Sequence, residues 1–281
     1  MLALLACLLV NIGFISIYYA NQWMIDMRNT KVMLALAVSA TLLAGCKNMQ
    51  GMDTNALVNS GMTAYKAATL SDSEVKTLSD DACKQMDSEN KLASASSKYT
   101  KRLNKIAKAL GNNINGTPVT YKVYMTSDVN AWAMANGCVR VYSGLMDMMT
   151  DNEVEAVLGH ELGHVALGHS RKAMQTAYAT IAARDAISAT SEAAANLSKS
   201  QLGDIAEGMI NSAFSRSQES DADDFSYDLL KKRNISTQGL VGSFEKLASL
   251  DAGHSKSLFD SHPPSAERAQ HIRDRIAADK K

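Results

Sequence analysis

The sequence contains little proline, few aromatic side chains and no excess of charge of either sign. Only 3 of its 281 residues are proline, so most of the chain is free to form uninterrupted helices. Basic and acidic side chains number 29 each, and no basic stripe with interleaved aromatics is present, which argues against nucleic-acid binding. The 4 cysteines include no C-x-x-C pair, so a redox-catalytic motif is absent. No internal repeat stands out.

The remaining composition favours one sizeable hydrophobic core. Apolar residues make up 46% of the chain, and many lie in long stretches rich in alanine, leucine and methionine with helical periodicity. We therefore predict a mainly helical α+β fold with a small sheet. Ser71 and Glu74 form a capping box at the start of one helix, and a second, alanine-rich helix is predicted over 174–195.

One motif carries most of the chemical information in the chain. His160-Glu161-x-x-His164 places two histidines one helical turn apart on the same face, where both imidazoles can reach one Zn²⁺. The glutamate between them lies where a general base for a metal-bound water is needed. On a helix, this pattern predicts a zinc hydrolase.

The residues around the motif favour a helix. Asp151 and Asn152 are candidate N-cap residues, and the apolar residues that follow recur at helical spacing over about four or five turns. Gly159, Gly163 and Gly168 reduce the helix propensity of this segment. Small residues allow close approach, so we predict a buried helix against which another element packs.

The third metal ligand does not follow the metzincin spacing. That spacing requires glycine at 167 and histidine at 170, where this chain has Leu167 and Ser170. His169 lies about 140° around the helix from His164, so we expect it behind a ligand or at the surface rather than on the metal. A better third ligand is Glu219, because Asp223 follows it by one helical turn and could hydrogen-bond to the back of a ligating histidine.

These paired motifs resemble a known family. His160-Glu161-x-x-His164 with Glu219-x-x-x-Asp223 is similar to the gluzincin pattern of the CAAX-prenyl-protease and HtpX group of zinc metalloproteases, in its LoiP-like and BepA-like periplasmic lipoprotein branch. Three further stretches match that branch, and the resemblance covers roughly residues 75–275. They are Asn130-Ala131-Trp132-Ala133, Ser215-Arg216, and Ser261-His262-Pro263-Pro264 with Arg268.

The resemblance implies a zincin-like domain and a role for each site residue. His160, His164 and Glu219 would hold one Zn²⁺ per chain, and Glu161 would be the general base. Asp223 would orient one of the zinc histidines.

Two more residues of this pattern have less defined roles. His262 would either donate a hydrogen bond to the oxyanion or fill the fourth metal position and keep the enzyme latent. Arg268 would pair with a carboxylate near the site, which the sequence does not identify.

A hairpin beside the zinc helix is predicted to bind substrate. Residues 131–135 and 138–142 flank Asn136-Gly137, a strong two-residue turn signal, and 119–124 alternates as a further strand. The resemblance implies that Asn130 and Ala131 belong to the strand that borders the cleft. An exposed strand edge pairs with extended polypeptide through main-chain hydrogen bonds; the alternative is that the hairpin is only scaffold.

The N-terminal region resembles a bacterial lipoprotein signal. Arg28 and Lys31 precede an apolar stretch over 32–43, and Leu43-Ala44-Gly45-Cys46 is similar to a lipobox. We expect cleavage before Cys46, acylation of this cysteine with palmitate among its lipids, and anchoring at the periplasmic face of the outer membrane. Residues 2–20 are apolar enough to span a membrane, so an inner-membrane anchor is the alternative if residues 1–26 are translated; we expect Met27 to be the natural start.

The domain organisation follows from these signals. We expect a doubtful extension over 1–26, a signal peptide over 27–45, a lipidated tether over 46–70 and a metalloprotease domain over 71–281. In an oxidising periplasm Cys83 and Cys138 are predicted to form a disulfide; two buried free thiols are the alternative.

Two functions of different classes remain open. The favoured one is a zinc endopeptidase that cleaves unfolded or misassembled envelope proteins. The other is a lipoprotein chaperone or assembly factor with a latent zinc site. Both predict extended polypeptide as the partner, membrane attachment through Cys46 and contact with other envelope proteases or assembly machinery.

Overall fold

The structure is a computed structural model that describes residues 67, 69–185, 190–249, 261–262 and 266–279. All of these lie in one compact unit, Val58–Lys281. Five strands are described: β1 Asn113–Ile114, β2 Thr117–Pro118, β3 Thr120–Tyr124, β4 Ala131–Ala133 and β5 Cys138–Tyr142. Ten helices are described: α1 Asp72–Glu89, α2 Lys98–Leu110, α3 Ser143–Met148, α4 Asp151–Ala166, α5 His169–Arg184, α6 Ser191–Ala194, α7 Lys199–Ile210, α8 Arg216–Lys232, α9 Gln238–Ala248 and α10 Ala266–Ala278. The mainly helical α+β fold is confirmed.

The predicted hairpin forms the centre and one edge of a mixed sheet. The strand order is β3-β5-β4; β4 pairs with β5 antiparallel, and β3 pairs with β5 parallel. Gly137 adopts a φ of 82° in the turn, a conformation that glycine reaches without steric cost. β1 and β2 form a separate antiparallel pair. Among the described residues β4 is therefore an edge strand.

The sheet separates two hydrophobic cores because its side chains alternate between the two faces. On β4, Ala131 and Ala133 belong to the first core, whereas Trp132 belongs to the second. The first core is completed mainly by α2, α4, α8, α9 and α10. The second is completed by α1, α5 and α7, together with Ala67 and Leu70, which are buried ahead of the predicted domain start at residue 71.

Helix α4, which carries the histidine motif, is buried as the glycines predict. A Cβ at Gly159 would lie 2.5 Å from Ser226 Oγ, and one at Gly163 would lie 3.0 Å from the Ala222 carbonyl oxygen. Both contacts are to α8, so the glycines bring the backbones of the two helices together. The predicted N-cap is wrong by one residue: Thr150 caps α4 in a capping box with Glu153, and Asp151 is the first helical residue.

The alanine-rich helix begins earlier and ends sooner than predicted. It starts at His169 and stops at Arg184; of the remaining predicted residues, 191–194 form α6, 186–189 lie outside the described residues, and 185, 190 and 195 are not helical. The helix belongs to the second core, because Met174, Ala177 and Ile181 are buried there. Within the described ranges, no helix has the length and apolarity that a bilayer span requires.

Candidate metal centre

The two motif histidines converge as predicted. His160 Nε2 lies 3.0 Å from His164 Nε2, and both rings are buried. The spacing of one turn on α4 produces this convergence directly. Glu219, on the adjoining helix α8, approaches the same point: its Oε1 lies 3.4 Å from His164 Nε2, and its Oε2 lies 3.7 Å from His160 Nε2.

His262 completes a four-donor cluster. Its Nδ1 lies 2.9 Å from Glu219 Oε1 and 3.2 Å from His160 Nε2. One donor atom from each of His160, His164, Glu219 and His262 lies within 4.8 Å of the others. Tetrahedral zinc with bonds of about 2.1 Å separates its donor atoms by about 3.4 Å, so the observed separations fit a single zinc ion. A site with His262 in the fourth position has no position left for water.

Asp223 supports His160 from behind, as the motif spacing predicts. Its Oδ1 lies 2.8 Å from His160 Nδ1. The sequence could not identify the partner of Arg268, but the structure does: the guanidinium binds Asp223 through two hydrogen bonds of 2.6 and 2.7 Å, and its Nη1 lies 2.6 Å from Glu219 Oε2. Burial opposes the charge of Asp223, but Arg268 and His160 outweigh it and lower the pKa of this carboxyl.

His164 is held differently. Its Nδ1 lies 3.0 Å from His169 Nδ1, and its ring stacks on Phe214 with centroids 3.9 Å apart. This contact places His169 behind a motif histidine, as expected. The helix does not continue to His169, however, so its position has another cause. The chain turns between α4 and α5 at Gly168, whose φ is 77°, and the turn brings His169 back to His164. Burial lowers the pKa of both His164 and His169.

Sequence reasoning did not assign Phe214 to the site. Besides His164, its ring lies 5.2 Å from the ring of His262, between centroids, and its amide N–H donates to the Ser261 carbonyl. It directly precedes Ser215, the N-cap of α8. Its place in the sequence, five residues before Glu219, is the only feature that could have assigned Phe214 to the site.

Glu161 lies between the cluster and the edge strand. It is buried, and its Oε1 lies 3.5 Å from His262 Nε2, with no hydrogen-bond partner among the described residues. The backbone N–H of Ala133 donates to the carboxylate. Burial is the main reason that the pKa of Glu161 is raised, which suits a proton acceptor that must release its proton again.

Inside the cluster, neighbouring charged groups shift the pKa values of Glu219 and His262. Burial opposes ionisation of Glu219, yet hydrogen bonds from His164 and His262 hold the pKa of Glu219 far below its usual value. Burial likewise opposes a charge on His262, but Glu161 and Glu219 raise the pKa of this imidazole. This histidine-rich, anionic set of donors suits a divalent cation.

The predicted substrate strand borders the site. Because Asn130 and Met134 form ladder hydrogen bonds with Tyr142 and Cys138, the backbone groups of Ala131 and Ala133 point away from β5. The N–H of Ala131 is bonded to the Asn130 Oδ1 at 2.8 Å.

Cys83 on α1 and Cys138 on β5, the predicted disulfide partners, lie at disulfide distance, with the Cα atoms 6.6 Å apart. Cys46 lies outside the described residues.

Comparison with known proteins agrees with this geometry. Residues 96–276 match the profile of Peptidase family M48. The chain is 73% identical over 254 residues to Metalloprotease YcaL of Escherichia coli K12, covering 90% of this chain and 100% of that protein. It is 60% identical over 253 residues to Metalloprotease LoiP of the same organism, covering 90% and 99%. A putative beta-barrel assembly-enhancing protease of Vibrio cholerae is 30% identical over 171 residues, which are 57% of this chain and 35% of that protein. The family match and the buried donor set, of which α4 carries His160 and His164 and α8 carries Glu219, lead to one conclusion: the chain belongs to Peptidase family M48 and is a zinc metalloendopeptidase.

Proposed function

We propose that this metalloendopeptidase cleaves extended, unfolded or misassembled polypeptides of the bacterial cell envelope. The observation that carries the proposal is the position of the four-donor cluster beside an edge strand whose outward carbonyl groups, those of Ala131 and Ala133, point away from β5. Recognition by main-chain hydrogen bonds requires an extended substrate and reads little of its sequence. A cavity of about 330 Å³ reaches Asn130, immediately before β4, and gives such a chain room to continue.

The residues divide the chemistry between them. His160, His164 and Glu219 would hold zinc, which would supply Lewis-acid activation of a water molecule and of the scissile carbonyl. Glu161 would take the proton of the attacking water and return it to the leaving amine. The Ala133 N–H holds the Glu161 carboxylate beside the strand on which the substrate pairs.

Asp223 and Arg268 keep this arrangement in place. The Asp223 carboxylate fixes the proton of His160 on Nδ1, so that Nε2 offers its lone pair to the metal. Arg268 binds both Asp223 and Glu219, and thereby links the ligand on α8 to the group that orients the ligand on α4.

His262 governs access to the fourth metal position. Its place in the cluster favours the latent role, in which the imidazole must withdraw before water and substrate can enter. Replacing His262 with Ala distinguishes the two roles. Weaker zinc binding together with faster cleavage supports the fourth-ligand role, whereas unchanged zinc affinity with slower cleavage supports the oxyanion role.

The catalytic proposal is tested by Glu161→Gln. An unfolded protein is incubated with the wild-type enzyme, with and without a chelator, and with the variant, and cleavage sites are mapped by mass spectrometry. We expect internal, chelator-sensitive cuts from the wild type only, with one zinc bound by both proteins. Cleavage by the variant would contradict the role of Glu161, and release of single terminal residues would indicate an aminopeptidase.

We propose the periplasmic face of the outer membrane as the location. Support comes from the lipobox-like sequence before Cys46 and from Lys47 rather than aspartate after it. Residues 27–45 would be removed, residues 46–70 would form the tether, and residues 71–281 would form the metalloprotease domain. Cys46→Ser should release the protein from membrane fractions and abolish acylation in the mass spectrum of the N-terminal peptide. Continued membrane attachment would favour an anchor within residues 1–26.

A second candidate is a chaperone or assembly factor that binds extended chains while its metal site stays closed. The insertion of His262 into the cluster favours it. The name of the Vibrio cholerae relative suggests outer-membrane barrel assembly as a process to examine. A Glu161→Gln variant that still restores envelope assembly in cells would support this candidate.

A further inference from the structure

His164 needs a hydrogen-bond acceptor behind its ring. A neutral imidazole that offers Nε2 to a metal carries its proton on Nδ1, and a buried N–H requires a partner. Nδ1 of His164 lies 3.0 Å from Nδ1 of His169. This is the only hydrogen-bond contact of His164 Nδ1 within the described ranges.

The proton assignment of both rings follows from that contact. Two ring nitrogens 3.0 Å apart form a hydrogen bond when one carries a proton and the other a lone pair. If His164 Nε2 faces Glu219 and the metal, then His164 Nδ1 is the donor. His169 Nδ1 must therefore be the acceptor, and His169 must be neutral with its proton on Nε2.

The local backbone supports a built contact rather than a chance one. α4 ends at Ala166, and Gly168, in the left-handed region, starts α5 at the next residue. On a continued helix His169 would lie away from His164; the turn returns it. Phe214 stacks on the face of His164 while His169 meets its edge, so the ring is restrained in two directions.

We propose that His169 is a positioning residue that accepts the Nδ1–H of His164 and so directs Nε2 of that ring to zinc. It does for His164 what Asp223 does for His160, but with a neutral acceptor. The inference rests on the proposed ligand role of His164. Groups that orient ligating histidines typically contribute 10- to 100-fold in metal affinity.

A matched pair of variants tests the contact. His169→Asn keeps an acceptor oxygen near the position of Nδ1, whereas His169→Leu has a similar shape and no acceptor. We expect the dissociation constant for zinc, measured by competition with a chromophoric chelator, to rise roughly 10- to 100-fold in His169→Leu. It should stay within about threefold of wild type in His169→Asn and in the control His271→Leu, an exposed histidine that pairs with Asp224.

Two outcomes of this series would overturn the proposal. One is wild-type zinc affinity in His169→Leu; the other is an equal loss in both His169 variants. His164→Ala separates these failures from failure of the metal site itself, because an unchanged zinc affinity there means that His164 is not a ligand.

A second measurement needs no folded variant of His169. Nitrogen-15 NMR of the zinc-loaded wild-type protein reports which nitrogen of each histidine is protonated. We expect a proton on Nδ1 of His164 and on Nε2 of His169. A proton on Nδ1 of His169 would contradict the proposal.

Discussion

In the part of the chain that the structure describes, two buried arginines each pair with an aspartate, one beside each core. Arg268 and Asp223 lie at the metal centre beside the first core. Arg140 and Asp87 lie beside the second core, where the guanidinium makes two bonds of 2.7 and 2.9 Å to the carboxylate. Both arginines are at most 9% exposed, and both pairs are forked.

The pairs differ in what else they touch. Arg268 also binds Glu219, and Asp223 also binds His160, so this pair contacts two metal-site residues. Arg140 instead binds the carbonyls of Thr120 and Val139 and the sulfur of Cys83. One pair arranges ligands, and the other joins α1 to the sheet. The same chemistry therefore serves catalysis or architecture according to its neighbours.

The sharpest test of this comparison replaces each arginine with Met. Arg268→Met leaves the buried Asp223 carboxylate without its positive partner, so we expect it to lower the free energy of unfolding by about 3–5 kcal/mol. Arg140→Met should cost less, because Lys122 and Tyr124 still bind Asp87. Only Arg268→Met should also weaken zinc binding, by roughly 10- to 100-fold. Chemical denaturation of the zinc-free proteins and zinc titration of the folded proteins measure the two effects. Equal zinc affinity in the two variants would contradict the view that only the Arg268–Asp223 pair arranges metal ligands.

The predicted disulfide lies beside the Arg140–Asp87 pair, since Arg140 also binds the sulfur of Cys83. Cys83 and Cys138 enclose a sequence separation of 55 residues, and replacing both with Ala should lower the free energy of unfolding by about 2–4 kcal/mol. Zinc affinity should stay at the wild-type value, because neither cysteine contacts the four donors. Chemical denaturation of the double variant measures the first quantity, and zinc competition measures the second. A loss of zinc affinity would show that the cysteines influence the metal site from the other side of the sheet.

The approach of α8 to α4 is tested by Gly159→Ala. The added methyl would lie 2.5 Å from Ser226 Oγ and displace this buried hydroxyl, which donates to the Ala156 carbonyl, at a cost of about 1–3 kcal/mol. Gly203→Ala on α7 is the control, since its nearest neighbour is 3.5 Å away and alanine favours a helix by about 0.5–1 kcal/mol. Thermal unfolding should separate the variants in opposite directions; a stable Gly159→Ala would contradict the tight contact.

The smallest expected effect is a pH dependence of the stability that Asp87 contributes. Burial opposes ionisation of Asp87, but hydrogen bonds from Arg140, Lys122 and Tyr124 outweigh it and lower its pKa below 3.8. As the pH falls, the unfolded carboxyl is protonated first, so the contribution of Asp87 is complete above about 3.8 and disappears as the pH passes through the folded pKa. The stability difference between wild type and Asp87→Asn should shrink between about pH 5 and 2; a constant difference would exclude this charge effect.

The sequence predicted the parts of the site that depend on local periodicity. Spacing by one helical turn placed His160 with His164 and Glu219 with Asp223, and the Asn136-Gly137 turn predicted the hairpin. The resemblance added His262 and Arg268 but not their partners. His169 lies behind a motif histidine as expected, but it reaches that place through the turn at Gly168 and not through continued helical rotation.

What the sequence determined by itself is the chemistry of the donor set and the helices that carry it, since both follow from contacts within one or two turns. Only the tertiary structure decided that Arg268 links Asp223 to Glu219, that His262 lies among the donors, and that His169 contacts His164. The first two depend on residues more than 40 positions apart meeting in a buried site. The third depends on the turn at Gly168, whose positive φ changes the chain direction between α4 and α5, so that the helical period does not predict the position of His169.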